Sequence, residues 1–291
     1  MRRALAVAVC GLVGTGSPAP AEDSRPGPAA RITYVANEGF LVIVGDSGVL
    51  VDGLFAPGPL DWADVPSADT RRRLETGAPP FDEVRVALVT HRHVDHFDPG
   101  VAVAFLRSRP GADLVGPPQV EERLKATSGF EAVASRVHAV PATPGADTSL
   151  TFGDVTVRAL GILHSVYMVK DESTGEMVNR HRSTENLGFW VDVGGFTFFH
   201  NGDAALLEVE EYCRFDLPSA GVDVAFLGSV FWSATERTLG TVRRCLAPGH
   251  VVPMHLRPDE RSTIGERIEA LDDPHPPFVV PGSPMTEIIL P

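Results

Sequence analysis

Beyond its first thirty positions the chain carries its apolar residues in short runs, 32–36, 40–44 and 49–51, interrupted by Asn37-Glu38-Gly39 and by Gly45-Asp46-Ser47-Gly48. Runs this short, bounded by turn formers, predict a β-meander. A loop rich in Pro, Asp and Gly follows over 53–69, then a short polar helix over 70–75 and a buried strand over 84–89. From there helical and extended periods alternate. Helices are expected near 99–107, 118–126, 234–245 and 263–271. Strands are expected over 112–115, 149–152, 155–160, 187–193, 196–199, 222–227, 251–254 and 287–290. The two kinds of element interleave without a break in composition, which places residues 31–291 in one α/β domain.

The first 21 residues read differently. Met1-Arg2-Arg3 is a positive start, 4–13 is an apolar run, and Ala19-Pro20-Ala21 is a small-x-small cleavage site. The run is too short for the roughly 20 residues that span a bilayer. These features predict an export signal over 1–21, a flexible lead-in over 22–30, and a periplasmic or secreted mature chain without a transmembrane anchor. Acylation at Cys10 is disfavoured by the bulky Val9 before it. Export leaves Cys213 and Cys245, which could pair in an oxidising compartment or stay as buried thiols. The 25 basic and 38 acidic residues leave a net charge of −13. That argues against nucleic acid as a partner, which calls for a basic face. Nothing in the pattern sets the oligomeric state.

The strand over 84–89 runs into Thr90-His91-Arg92-His93-Val94-Asp95-His96. Three histidines and an aspartate at one strand end have the composition of a metal site, which folding alone does not require. In extended chain, residues i and i+2 point to the same side, so His91 and His93 can share one ion. Asp95 and His96, where the chain turns toward the next helix, can face a second.

This pattern resembles the metallo-β-lactamase superfamily, whose signature is His-x-His-x-Asp-His at a strand end. The later signature elements have matches in order: His164 in Leu160-Gly161-Ile162-Leu163-His164-Ser165, Asp203 in Phe199-His200-Asn201-Gly202-Asp203, and His255 in Val251-Val252-Pro253-Met254-His255. Asn37-Glu38-Gly39-Phe40 and Val49-Leu50-Val51-Asp52-Gly53 look like the family's N-terminal strands. The resemblance implies an α/β fold of the αββα type, a four-layer sandwich of two mixed β-sheets flanked by helices. It also implies a dinuclear site, with His91, His93 and His164 on one ion, Asp95, His96 and His255 on the other, and Asp203 bridging. Two Zn2+ are the implied cofactors, with Mn2+ or Fe2+ as other divalent choices. His200 is expected either to support the site or to be structural, and His138, His181, His250 and His275 to be ordinary.

By the same resemblance the activity is hydrolysis of an ester, lactone or phosphodiester bond in a small molecule by a metal-bridging hydroxide. Asp95 is both ligand and candidate proton carrier. A bridging Asp203 argues against β-lactam hydrolysis. The spacing from Asp203 to His255 and the meander start are similar to the branch that includes L-ascorbate-6-phosphate lactonase and N-acyl phosphatidylethanolamine phospholipase D, which fixes no substrate. Candidate substrate-binding residues are Phe55 and Trp62 in the 53–69 loop, Arg180 and Arg182 in a long loop over 165–186 that also carries Tyr167, and Trp232 beside Phe231. A diiron or non-haem iron oxidoreductase of this fold, or a non-catalytic metal binder, are the alternatives.

Overall fold

The opening runs pair as a meander: β1 (Ala30–Ala36) with β2 (Gly39–Val44), and β2 with β3 (Ser47–Val51), all antiparallel. The structure is a computed structural model that describes residues 29–55, 58, 60–204, 209–228, 235–270 and 275–290. The expected export signal over 1–21 and most of the lead-in lie outside the described residues.

β3 then pairs in parallel with β4 (Val84–Leu88), β4 with β5 (Asp113–Gly116) and β5 with β6 (Val137–Ala139). The crossovers are α1 (Ala68–Thr76), α2 (Pro99–Ser108) and α3 (Pro118–Lys125). Ser67 and Asp98 cap the first two by accepting from the backbone N–H of Thr70 and Val101, which satisfies amides that a helix start leaves open.

A second sheet follows. β7 (Asp147–Phe152), β8 (Val155–Gly161), β11 (Leu187–Val193) and β12 (Phe196–His200) are antiparallel neighbours. β13 (Val224–Leu227) and β14 (His250–Pro253) extend it in parallel. Between β8 and β11, β9 (Met168–Lys170) and β10 (Met177–Asn179) form a separate hairpin. Helices α4 (Val209–Cys213), α5 (Leu217–Ala220), α6 (Thr235–Thr241) and α7 (Glu260–Glu269) accompany this half. Strand β15 (Thr286–Ile288) returns to pair with β1, giving seven strands in the first sheet and six in the second.

Alternation along β2 explains the layering. Phe40, Val42 and Val44 face the second sheet, in a core shared with Phe189, Phe198 and Phe226. Leu41 and Ile43 face the other way, toward Leu74, Phe105 and Leu124 of α1 to α3. The outer face of the second sheet packs on Tyr212, Leu239, Leu246 and Ile264. A strand covered on both faces must be apolar throughout, and β2 reads that way. Two mixed sheets, face to face with helices outside, are the architecture the resemblance implied.

Three local expectations change. The supposed loop over 165–186 contains the β9–β10 hairpin, and β6 was not expected. The helix near 234–245 passes into a π-helical turn over Val242–Leu246. Cys245 in that turn is disulfide-bonded to Cys213 at the end of α4, with Cα atoms 4.5 Å apart, so the open question of the two cysteines resolves to a bond. Among the described residues no helix is long and apolar enough to cross a membrane.

Candidate metal centre

Parallel pairing brings the chemistry to one edge. Val51 of β3 lies opposite Leu88 of β4, so Asp52 and Thr90 leave the sheet side by side. The Asp52 carboxylate accepts from the Thr90 amide (2.8 Å) and hydroxyl (2.6 Å) and lies 2.8 Å from Nδ1 of His96. Thr90 Oγ1 in turn lies 2.9 Å from Nδ1 of His91. Both rings thereby turn Nε2 into the centre, the role that outer partners of metal-binding histidines perform.

From the second sheet come His164 after β8, Asp203 after β12 and His255 after β14. Asp203 faces both ways. Its Oδ2 lies 3.3 Å from His164 Nε2 and 3.6 Å from His91 Nε2, while its Oδ1 lies 3.5 Å from His96 Nε2 and 3.9 Å from His255 Nε2. Asp95 Oδ2 lies 3.4 Å from His96 Nε2 and 3.5 Å from His255 Nε2. His91 Nε2 and His93 Nδ1 are 3.0 Å apart, near the roughly 3.3 Å that separates two nitrogens bound at 2.0–2.1 Å to one tetrahedral ion.

The backbone is bent to make this possible. Gly202, at φ +54, has no room for a side chain: a Cβ there would sit 2.6 Å from Asn186 Oδ1 and 2.8 Å from Thr90 Cβ. Asn37, Asp52 and His255 also take positive φ, a conformation that costs non-glycine residues energy and gathers at functional sites.

The donor set fits a metal. Nε2 of His96 and Nε2 of His164 are buried and have no hydrogen-bond partner among the described residues, a costly state for polar nitrogen unless something binds it. Ligand atoms cluster in two groups, His91, His93, His164 and Asp203, and Glu38, His96, Asp203 and His255. A third grouping of Glu38, Asp52 and His200 is not a site, because both His200 nitrogens are engaged, Nε2 with the Glu38 carbonyl (2.9 Å) and Nδ1 with the Gly202 amide (3.1 Å).

Electrostatics follow from burial and proximity. Burial pushes the imidazoles of His91, His181 and His200 below their usual range and His93 down to about 4. Burial also opposes charge on His96 and His255, but the carboxylates prevail and hold both above the usual value: Asp95, Glu38 and Asp203 act on His96, and Asp203 and Asp95 on His255. Asp95 and Asp203 are held low despite burial, chiefly by the His96 charge for the first and by His255 and His96 for the second. Glu38 moves the other way, raised by burial and by the Asp203 charge.

A cavity of about 710 Å³ opens over the centre, with His93, Asp95, Asp203 and His255 at its floor. Of the expected substrate residues, Trp62 and Arg180 line it, with the Trp62 ring 5.8 Å from that of His255. Phe55 does not: it is fully buried in the protein, since the loop after β3 turns its ring inward. Arg182 lines a different cavity, beside Pro118 and Pro141, because the chain turns after Arg180. Trp232 lies outside the described residues. Missed from the sequence were Arg92 and Arg123, which line the cavity, and His181, whose ring sits 4.3 Å from His164 and 4.9 Å from His93. Arg92 stood inside the motif as an unassigned position, and His181 stood in the basic run Arg180-His181-Arg182. Glu38 stands in the sequence as part of a turn and of the family-like opening strands, with no sign of a place in the site.

Two mixed sheets with a histidine and carboxylate cluster at their common edge define a protein of the metallo-β-lactamase fold. The chain belongs to the β-lactamase superfamily domain family, whose model matches residues 49–281. It is 29% identical over 199 residues to a UPF0173 metal-dependent hydrolase of Polaromonas, covering 66% of this chain and 68% of that protein. A protein of the same description from Staphylococcus carnosus is 28% identical over 175 residues, covering 60% and 68%. Among solved structures, a possible metal-dependent hydrolase from Veillonella parvula superposes with a TM-score of 0.58 at 17% identity, over 89% of this chain and 99% of that one. A metallo hydrolase from Ignicoccus hospitalis gives 0.55 at 18% identity, over 89% and 97%. At these identities the structures speak for the fold alone.

Proposed function

We propose that this protein is a metal-dependent hydrolase that holds two divalent ions and cleaves an ester, lactone or phosphodiester bond in a small anionic molecule. The observation that carries the reading is Asp203, whose two oxygens are divided between His91 and His164 on one side and His96 and His255 on the other. His91, His93, His164 and Asp203 would hold one ion, and Asp95, His96, His255 and Asp203 the other, with Zn2+ the first candidate. Bound there, such ions lower the pKa of water and polarise the oxygen under attack.

The chain's own contribution is placement and charge. Asp95, kept ionised and hydrogen bonded at the cavity floor, is placed to take up and return a proton. Arg92, Arg123 and Arg180 line the cavity on an otherwise acidic protein. Arg123 Nη1 donates to the Arg92 carbonyl at 2.6 Å, which ties α3 to the motif loop and fixes where that guanidinium stands. A planar guanidinium fork suits a carboxylate or phosphate on the substrate, and Trp62 and Tyr167 supply apolar walls. We further propose export, which the Cys213–Cys245 bond supports because such bonds persist in oxidising compartments.

Metal analysis of the purified protein together with turnover of an ester, lactone and phosphodiester panel tests the proposal. Two ions per chain are expected, with Asp203→Ala and His93→Ala each lowering metal content and abolishing turnover. Arg180→Ala should raise KM for an anionic substrate far more than for its neutral analogue, and Arg182→Ala should not. Full metal content and normal rates in Asp203→Ala would defeat the reading.

A further inference from the structure

The turn between β1 and β2 delivers two side chains to the centre. Asn37 Nδ2 reaches the Asp95 carbonyl and Oδ2, each at 3.3 Å. Its neighbour Glu38 is fully buried, and neither of its carboxylate oxygens has a hydrogen-bond partner among the described residues. A lone buried carboxylate is among the most costly groups a protein can carry, and such groups are retained where they pair with a charge or coordinate a metal. The nearest cationic side chain is already paired. Nδ1 of His96, 3.6 Å from Glu38 Oε2, is committed to Asp52 at the shorter distance of 2.8 Å. What remains is the space Glu38 shares with Asp203 and His255, where one ligand atom from each of Glu38, His96, Asp203 and His255 lies within 4.8 Å of the others.

The placement is rigid. His200, itself fully buried, donates from Nε2 to the Glu38 carbonyl at 2.9 Å and accepts at Nδ1 from the Gly202 amide at 3.1 Å. One imidazole therefore ties the backbone of Glu38 to the residue before Asp203. The two carboxylates are held in a fixed relation across the gap between the sheets.

We propose that Glu38 is a third carboxylate ligand of the centre, bound to the ion at the Asp95, His96 and His255 position. This rests on the two-ion reading above. It makes the two positions chemically unequal. The first has three imidazoles and a shared carboxylate, a set that suits tetrahedral zinc. The second has two imidazoles and three carboxylates, an oxygen-rich shell of higher coordination number that suits Mn2+ or Fe2+ better. Two dications against three carboxylates leave a single net positive charge at the centre.

The test titrates Zn2+ and Mn2+ separately into metal-free full-length protein against a competing chelator, for wild type and Glu38→Gln, with metal content measured on the same samples. The amide keeps the shape and hydrogen-bonding capacity of the acid but removes the charged ligand. Loss of at least tenfold in affinity for the second equivalent, with the first unchanged and the larger loss for Mn2+, is the expected result. A wild-type affinity for both equivalents in Glu38→Gln overturns the proposal while leaving the two-ion reading intact. A wild type that binds fewer than two ions overturns both. Should Glu38→Gln fail to fold, a crystal structure of metal-loaded wild type decides: a Glu38 oxygen within about 2.0–2.2 Å of the ion supports the assignment, and one beyond 3 Å overturns it.

Discussion

The Asp52 carboxylate lies 2.8 Å from Nδ1 of His96, while the Nε2 of the same ring faces Asp95 and Asp203. The same carboxylate accepts from Thr90, whose hydroxyl contacts His91, so one buried group aims a histidine at each half of the centre. Asp52→Ala should lower metal affinity about 10- to 100-fold. Chelator competition measures this, and an unchanged affinity would show that the rings are held by packing alone.

Gly202→Ala tests the tightest point of the Asp203 turn. The added methyl would meet Asn186 and Thr90 in a backbone conformation that already disfavours alanine, and a loss of about 2–4 kcal/mol in denaturant unfolding is expected. Gly265→Ala is the control. It lies within α7 with nothing within 4 Å of the new methyl among the described residues, and should leave stability unchanged or raise it by up to about 1 kcal/mol.

Acid should destabilise the metal-free protein through His93, which burial holds at about 4 against roughly 6.5 in the unfolded chain. Between these values the unfolded state takes up the proton first, so stability falls as pH drops from about 6.5 and the loss is complete below about 4. His96 and His255, held above the usual value, act in the opposite sense, with stability present at low pH and lost as pH rises through their folded pKa. Comparing wild type with His93→Gln isolates the first effect. The difference in unfolding free energy should move by about 1–2 kcal/mol in favour of the variant across that window, discounted because His93 is partly exposed. A pH-independent difference would contradict the assignment.

The motif strand, the meander and the order of His164, Asp203 and His255 were legible because each is a local pattern: an apolar run, a turn, a chemically loaded strand end. The parts that escaped depend on partners distant in sequence. Glu38 sits in an ordinary hairpin turn, and only the antiparallel return of β2 and the packing of β12 show that the turn faces inward. His181 follows a hairpin whose sequence looks like plain loop, and its ring meets His93 and His164 through a fold-back no periodicity announces. Phe55 and Trp62 share one loop and end in core and cavity respectively, a difference set by how the loop closes rather than by residue type.

The Cys213–Cys245 bond closes a loop with a sequence separation of 32 between α4 and the π-helical turn. Replacing both cysteines with serine should cost roughly 3–4 kcal/mol by loop-closure entropy. Metal stoichiometry should stay at the wild-type value, and a fall in it would show that the bond supports the centre as well as the helices.

The candidate centre draws His91, His93, Asp95 and His96 from the first sheet and His164, Asp203 and His255 from the second, and each group of candidate ligands contains members of both. The first sheet, apart from β15, is built from residues up to 139, and the second from residues 147 to 253. An ion seated here would act as a rivet between two consecutive lengths of chain that otherwise meet at that edge through apolar packing and a few hydrogen bonds, such as His200 to the Glu38 carbonyl and the Leu187 amide to the Thr90 carbonyl. Neither length could assemble the centre by itself. Metal loading would then resist the sliding of one sheet over the other, and a chain nicked between β6 and β7 would keep its halves together for as long as the ions stay bound.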